Sequence, residues 1–310
     1  MNQRVNKIFR RRSLPLPTPH PVDLAEGLEH TRALDRPARA ISRTIREVLR
    51  PGPVKDLLHG VPAGHPAHPP LTDVSVGCWI SAGVLDLLPG TERASEVLIA
   101  AGLVGAVPTT LTGLADWSVL HPEQQRVGLV HALGTATASA LYLASLITRR
   151  RGRTAAGKAL GYTGFTFLMA GAYLGGHLAF RQGAGANHAE PVAHLVPLGW
   201  HDLCTADELP DGWPVHRRLG YISLFVLRTQ DGIHVLADRC AHLAGPLHQG
   251  RMVTETDADG VTDLCVVCPW HGSTFRVSDG SVVHGPATGR QPAFETRVTE
   301  HGIVQVRPKV

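Results

Sequence analysis

Cys240-Ala241-His242-Leu243-Ala244-Gly245-Pro246-Leu247 and Cys268-Pro269-Trp270-His271-Gly272-Ser273-Thr274-Phe275 decide how the C-terminal third of this chain is read. Each stretch opens on a thiol, sets an imidazole two or three positions later and then turns on glycine. Each also follows a β-like run, one ending near Asp238 and the other spanning Leu264 to Val267, so two matching loops at strand ends can converge on one site. Thiolate and imidazole are metal-ligating side chains. A C-x-H … C-x-x-H pair suits a two-iron cluster. Thiolates hold one ferric iron and neutral imidazoles hold the other, which removes negative charge and raises the reduction potential. The same residues admit a zinc reading, because Cys265-Val266-Val267-Cys268 is itself a C-x-x-C and could join Cys240 and His242 in a tetrahedral set. That reading leaves Pro269-Trp270-His271-Gly272 without a purpose. It also takes Cys265 from strand-like sequence, where a small buried hydrophobe is the ordinary role, as for Cys78 and Cys204.

The two stretches, with Gly280 and Gly285-Pro286-Ala287 downstream, resemble the Rieske family over about residues 195–310. The resemblance implies a 2Fe-2S cluster with Cys240 and Cys268 on one iron and His242 and His271 on the other. It also implies an exposed edge at which the two imidazole rings form the electron port. Rieske subunits of cytochrome bc-type complexes have an extra cysteine in each loop, where this chain has Ala244 and Trp270, and a tyrosine where it has Phe275; Ser273 is retained. Fewer donors to the cluster lower its potential, so the domain is expected to be closer to a Rieske ferredoxin than to a quinol oxidase subunit. Met252 to Asp263 lengthens the spacing between the motifs and reads as a polar hairpin without ligands. Rieske oxygenases need a second, iron-bearing domain that this sequence does not offer, so the chain alone is not expected to be an oxygenase.

Around the motifs, Leu224–Arg228, Ile233–Ala237, Leu264–Val267 and Ile303–Val306 alternate with turn signals at Asp231-Gly232, Asp279-Gly280 and His301-Gly302, the pattern of a small all-β domain. Upstream the texture differs. Four apolar runs, Leu71–Leu88, Ala94–Ala115, Val127–Ile147 and Lys158–Phe180, are each near the length that crosses roughly 30 Å of hydrocarbon. Short polar joins and many small residues, including Gly171 and Gly175 four apart, predict an up-down-up-down bundle packed closely in lipid. A buried soluble bundle is the competing reading, since the first run carries Asp73 and Asp86. The expected fold class is therefore multidomain: a four-helix transmembrane bundle followed by a small all-β iron-sulfur domain. The expected boundaries are a basic tail at 1–60, helices at 61–185, a linker at 186–194 and the cluster domain at 195–310.

The helical part resembles an uncharacterised bacterial four-helix membrane family over about 60–185. The resemblance rests on Gly64-His65-Pro66-Ala67-His68-Pro69, Thr112-Gly113-Leu114-Ala115-Asp116-Trp117, His131 and Tyr173-Leu174-Gly175-Gly176-His177. In an up-down bundle His65, His68, Asp116, His131 and His177 share one membrane face, the one from which the cluster domain emerges. Ionisable groups at that depth mark function. His131 and His177 are candidate haem b ligands, and the five together are candidates for a metal or a quinone headgroup; helix-end capping is the bland reading.

The 310 residues carry a net charge of +4 with 43% hydrophobic residues. Without a basic, aromatic-interleaved surface, this excludes a nucleic-acid binder. Five cysteines make no disulfide framework. No apolar h-region follows Arg10-Arg11-Arg12, so no signal peptide is read. Ala38 to Arg50 reads as a basic amphipathic helix with Ile41, Ile45, Val48 and Leu49 on one face, stopped by Pro51. Arg149, Arg150, Arg151, Arg153 and Lys158 between the third and fourth runs favour a cytoplasmic loop, and Thr148-Arg149-Arg150 resembles a twin-arginine export signal. The arginine-rich N-terminal region favours the opposite, with both termini cytoplasmic, and the second orientation is the expected one. The chain is expected to be a multi-pass cell-membrane protein that carries single electrons between a redox protein donor and an acceptor such as quinone, a membrane cytochrome or an oxygenase. The alternatives are a small oxidoreductase with haem or quinone among its helices, and a zinc-stabilised binding module on a membrane anchor.

Overall fold

The computed structural model describes residues 20–256 and 260–309. The tail arginines Arg10–Arg12 and the tip of the Met252–Asp263 insertion lie outside the described residues.

Among the described residues seven α-helices come first: α1 (Pro21–Glu29), α2 (Asp35–Val48), α3 (Pro53–His59), α4 (His68–Leu85), α5 (Glu92–Trp117), α6 (Pro122–Arg150) and α7 (Thr154–Gly176), the last running on into a π-turn at His177–Arg181. The four long helices occupy the four apolar runs; α2 is the helix expected over Ala38 to Arg50, and α1 and α3, which periodicity did not anticipate, join it in a second helical layer. α5 and α6 are long and apolar enough to cross a membrane.

Small residues set the helix spacing. A Cβ on Gly171 of α7 would stand 2.8 Å from Thr135 Cγ2 of α6, and one on Gly175 would stand 3.1 Å from a His131 ring carbon. The glycine pair four residues apart is thus the stripe along which α7 lies against α6. Trp79 of α4 stacks on Tyr142 of α6 with ring centroids 4.4 Å apart. At the same end Asp86 is buried and receives Arg149 Nη1 at 2.7 Å and Ser95 Oγ at 2.8 Å, while Lys158 Nζ donates to its carbonyl. Two of the five cations read as loop charges are therefore turned inward. The outer faces of the long helices carry exposed Val74, Ile80, Val104, Val107, Leu133, Leu143, Phe167 and Met169.

α2 corrects the amphipathic reading. Its buried face is Ala38 and Ser42, with Ser42 Oγ donating to Ser118 O at the end of α5, while Ile41 and Val48 are exposed. Small side chains are what let a helix approach the ends of α5 and α6 this closely, and Arg126 of α6 grips Asp35 at 2.6 Å to hold it there.

The C-terminal part is all-β. Strands β1 (His201–Thr205), β2 (Val215–Leu219), β3 (Ile222–Thr229), β4 (Gly232–Ala237), β9 (Ala293–Val298) and β10 (Ile303–Pro308) form an antiparallel sheet in the order β1-β10-β9-β4-β3-β2. β5 (Arg251–Thr256), β6 (Thr262–Val267), β7 (Thr274–Arg276) and β8 (Val282–His284) form the second sheet in sequence order. β5 pairs with β6 from Arg251↔Val267 to Thr256↔Thr262, so the insertion is the expected hairpin. Phe225, Leu227 and Leu236 meet Val266 and Phe275 in a buried core that also contains Cys240 and Cys268. Strand alternation sorts the three nearby cysteines. Val266 faces this core with Cys268 beyond it, whereas Cys265 faces the other side, its thiol held up at about 11 by burial and the carboxylates of Glu255, Asp263 and Asp279.

Candidate metal centre

The loop after β4 and the loop after β6 have one hydrogen-bond plan. Cys240 N–H donates to Gly245 O (2.9 Å) and Ala244 N–H returns to Cys240 O (2.9 Å); Cys268 N–H donates to Ser273 O (2.8 Å) and Gly272 N–H returns to Cys268 O (3.1 Å). The returning residue is left-handed in both, with φ of 63° at Ala244 and 81° at Gly272. Such turns aim successive backbone N–H groups inward. Those of His242 and Leu243 reach Cys240 sulfur, and those of Trp270 and His271 reach Cys268 sulfur. The loops meet closely because Gly245 has no side chain: a Cβ there would lie 2.9 Å from Cys268 Sγ.

The two thiols share a hydrogen bond. It draws Cys268 down to about 7 and, with burial, pushes Cys240 up, so one sulfur is readily a thiolate. His242 and His271 sit edge to face with centroids 5.0 Å apart. Burial first, and then the neighbouring His271 and His59, hold His242 well below the usual imidazole range; burial, His121, Arg46 and Lys55 hold His271 at about 4. Both rings are neutral at pH 7, the form that ligates metal. His242 Nδ1 is buried and has no hydrogen-bond partner. An orphaned buried nitrogen costs free energy unless something takes its lone pair. Among the described residues no three His, Cys, Asp or Glu converge on the position of a single ion. A zinc tetrahedron needs that convergence, whereas two sulfurs beside two imidazoles suit two irons held in pairs.

Residues that the motif reading missed fix these loops. Gln291 is fully buried and clamps the first loop: its Oε1 accepts Ala241 N–H (3.0 Å) and its Nε2 donates to Ala237 O (2.7 Å) and Arg239 O (2.6 Å). Asp238 accepts His248 N–H and His248 Nδ1, each at 2.7 Å. Ser273, singled out in the sequence, accepts Ala287 N–H at its hydroxyl (2.9 Å) and so ties the second loop to the Gly285-Pro286-Ala287 segment. Phe275 is fully buried beside both cysteines and offers no hydrogen bond where a tyrosine would.

The edge expected at the two imidazoles is open on one side only: His242 is 9% exposed, whereas His271 is part-exposed beside an exposed Trp270, and the helical layer packs against this side. His121, which caps α6, packs edge-on against His271 (5.8 Å) and Trp270 (5.5 Å). Asp56 of α3 accepts His284 Nδ1 at 2.8 Å and Gly285 N–H at 2.9 Å, joining the helical layer to the cluster side of the β domain. His188 N–H donates to Ala241 O. No local pattern marks His121 or Asp56, since their partners lie more than a hundred residues away.

The five polar residues read as a haem, metal or quinone site are not gathered at one point. His177 Nε2 lies 2.6 Å from Glu29 Oε1, His131 Nδ1 donates to Gly171 O (2.7 Å), and His68 Nδ1 donates to Thr109 O (2.9 Å). Asp116 pairs with His59, and His65 is exposed with its Nδ1 on Pro66 O. The ring against His131 is that of His68, and His177 spends its Nε2 on α1, so His131 and His177 do not present the two nitrogens a haem iron needs. Asp116 and His65 instead border the cluster loops.

Comparison with known proteins agrees with this division. Residues 199–295 match the Rieske [2Fe-2S] domain family and residues 64–188 match the family described as Predicted membrane protein (DUF2231). Human apoptosis-inducing factor 3 is 23% identical over 101 residues, 33% of this chain and 15% of that protein. Cholesterol 7-desaturase of Xenopus laevis is 33% identical over 101 residues, 32% of this chain and 20% of that protein. The chain thus spans a fifth or less of the length of either. The solved ferredoxin of carbazole 1,9a-dioxygenase from Nocardioides aromaticivorans IC177 is 23% identical, covers 36% of this chain and 98% of its own, and superposes with a TM-score of 0.30. The chain therefore joins a DUF2231 domain at residues 64–188 to a Rieske [2Fe-2S] domain at residues 199–295.

Proposed function

We propose that this protein carries single electrons on a Rieske-type 2Fe-2S cluster fixed to a membrane by α4 to α7, between a redox protein donor and a membrane or oxygenase-type acceptor. The observation that carries the reading is the meeting of two buried sulfurs and two neutral imidazoles at matched loops of one β domain. Cys240 and Cys268 would hold one iron, and His242 and His271 the other. The orphaned His242 Nδ1 and the paired thiols fit that donor set. When bound, the cluster supplies reversible one-electron chemistry. The chain's part is to orient the ligands through the paired backbone turns, to neutralise sulfur charge with four inward N–H groups, and to exclude water from the sulfurs with Phe275 and from His242 with the helical layer.

Membrane anchoring is supported by the exposed apolar faces of the long helices, which cost least against lipid. We place residues 61–185 in that anchor and 195–310 in the cluster domain. With Arg149 and Lys158 bound to Asp86, the α6–α7 join offers only Arg150, Arg151 and Arg153 as exposed cations, whereas the cluster side offers Arg36, Arg39, Arg43, Arg46 and Arg50. That balance favours the cluster domain on the cytoplasmic face.

The test is EPR of the dithionite-reduced, detergent-purified protein. A rhombic signal of low average g, changed in both His242→Cys and His271→Cys, is the expected result. Zinc without labile sulfide, and no signal, overturns the proposal.

A further inference from the structure

α2 lies at one end of the bundle. Asp35 at its start pairs with Arg126 in the second turn of α6, and Ser42 at its middle donates to Ser118 O just past α5. On either side of it, Glu29 of α1 meets His177 at the end of α7 and His59 of α3 meets Asp116 in the last turn of α5. The three short helices thus sit at the level where the long helices end, which is the bilayer–water boundary if the bundle is the membrane anchor.

The flanks of α2 differ sharply in chemistry. Ala38 and Ser42 are buried against the bundle. At about 100° per residue, Arg36, Arg39, Arg43, Arg46 and Arg50, three and four apart, run down one side of that face, and Ile41 and Val48 lie on the other. All five arginines are exposed. Arg39 has only a 3.8 Å pair with Asp35, which Arg126 already holds, and the other four form no ion pair among the described residues. Glu47 is the one exposed carboxylate of α2. Arg46 and Lys55 lie near enough to His271 to bear on its charge, so the basic flank faces the β domain and the apolar flank, with Ile41 41% and Val48 74% exposed, turns away from it. A helix that carries arginines on one flank and apolar side chains on the opposite one lies in the plane of a membrane interface. An acidic protein would meet the basic flank alone and leave Ile41 and Val48 in water, whereas a bilayer boundary covers both.

We propose that α2 is an interfacial helix whose arginine row binds the phosphates of anionic phospholipid headgroups of the phosphatidylglycerol type, with Ile41 and Val48 entering the acyl boundary. Guanidinium matches phosphate in a two-pronged geometry, and its apolar stem lets it reach the headgroup level from a helix lying below. The inference rests on the membrane-anchor reading and needs neither the cluster nor electron transfer.

The experiment has two arms. Alkaline carbonate washing of membranes that hold the full-length chain tests the anchor, and the chain stays with the membranes. Intrinsic-fluorescence melting of the detergent-purified chain is then followed with phosphatidylglycerol, with phosphatidylcholine of the same acyl chains, or with inorganic phosphate. Phosphatidylglycerol raises the melting midpoint saturably and less effectively at high salt, and the other two do not. Arg43→Gln raises the half-effect concentration about fivefold, the worth of one cation near an anionic surface. Replacing Arg36, Arg43, Arg46 and Arg50 together by glutamine abolishes the preference, while replacing Arg150, Arg151 and Arg153 at the opposite end of the bundle keeps it; Arg43→Gln decides the matter if the fourfold variant does not fold. A chain that washes off overturns the anchor and the proposal together. A chain that stays but responds alike to both lipids, responds equally to inorganic phosphate, or keeps its full preference in the arginine variants overturns the proposal alone.

Discussion

Ala244 and Gly272 hold the same place in the two cluster loops: each is the fourth residue after its cysteine, each is left-handed, and each N–H donates to that cysteine's carbonyl. One position meets the requirement with glycine and the other with a Cβ in a region that costs about 1–2 kcal/mol for an L-residue. Glycine's greater freedom in the unfolded chain offsets about 0.5–1 kcal/mol of that. Ala244→Gly should therefore stabilise the protein by about 0.5–1 kcal/mol, and Gly272→Ala should destabilise it by a similar amount. Urea midpoints of the two variants check the pair, and opposite signs are expected.

Gln291 closes three hydrogen bonds onto the first loop from a fully buried position. Gln291→Leu has nearly the same shape but strands two carbonyls and one N–H, at about 1–3 kcal/mol for each group left without a partner. Iron and labile sulfide per chain should fall together with the melting temperature. A variant with full cluster content and an unchanged melt would show that the clamp has no role.

Burial holds His242 and His271 below the ordinary imidazole range, His271 at about 4. In the cluster-free protein the unfolded chain then takes up protons near pH 6.5 that the folded chain refuses. Stability is fully present above pH 6.5, falls as the pH drops through that value, and stops falling on account of His271 below about 4. Denaturant titrations from pH 7.5 to 4 check the slope. His271→Gln should flatten it.

Asp56 joins α3 to His284 and Gly285. Asp56→Ala loses both contacts and should weaken docking of the helical layer on the β domain by about 1–3 kcal/mol, the range for hydrogen bonds to a charged group. Hydrogen exchange should quicken at 284–287 and around Trp270, while the β3–β4 core stays protected.

The β domain was legible in the sequence because its information is local. Short apolar, β-branched runs mark β3, β4, β6 and β10, glycine marks the turns, and the four ligand-type residues sit at fixed offsets within the two loops. The long helices were legible as apolar runs, though Arg149 and Lys158 read as free loop charges because nothing local reveals that Asp86 receives them. What covers the cluster edge was not legible. His59 pairs with Asp116, 57 positions away, and Asp56 with His284 and Gly285, 228 and 229 positions away, while His121 packs on Trp270 and His271 of the other domain; a histidine with a distant partner looks like any other. The gathering of His131 and His177 failed for the same reason: Glu29, on a short helix near the start of the described chain, had already taken one of them.

The packing of His121 on His271 bears on how this domain must be studied. A β domain cut free near residue 195 would present two bare imidazoles to bulk water, whose dipoles reorient around each change of charge. In the intact chain fixed protein groups replace part of that solvent around His242 and one edge of His271, and on the proposed electron-transfer reading this lessens the reorganisation that accompanies each change of charge. A potential measured on the excised domain would therefore differ from that of the intact chain.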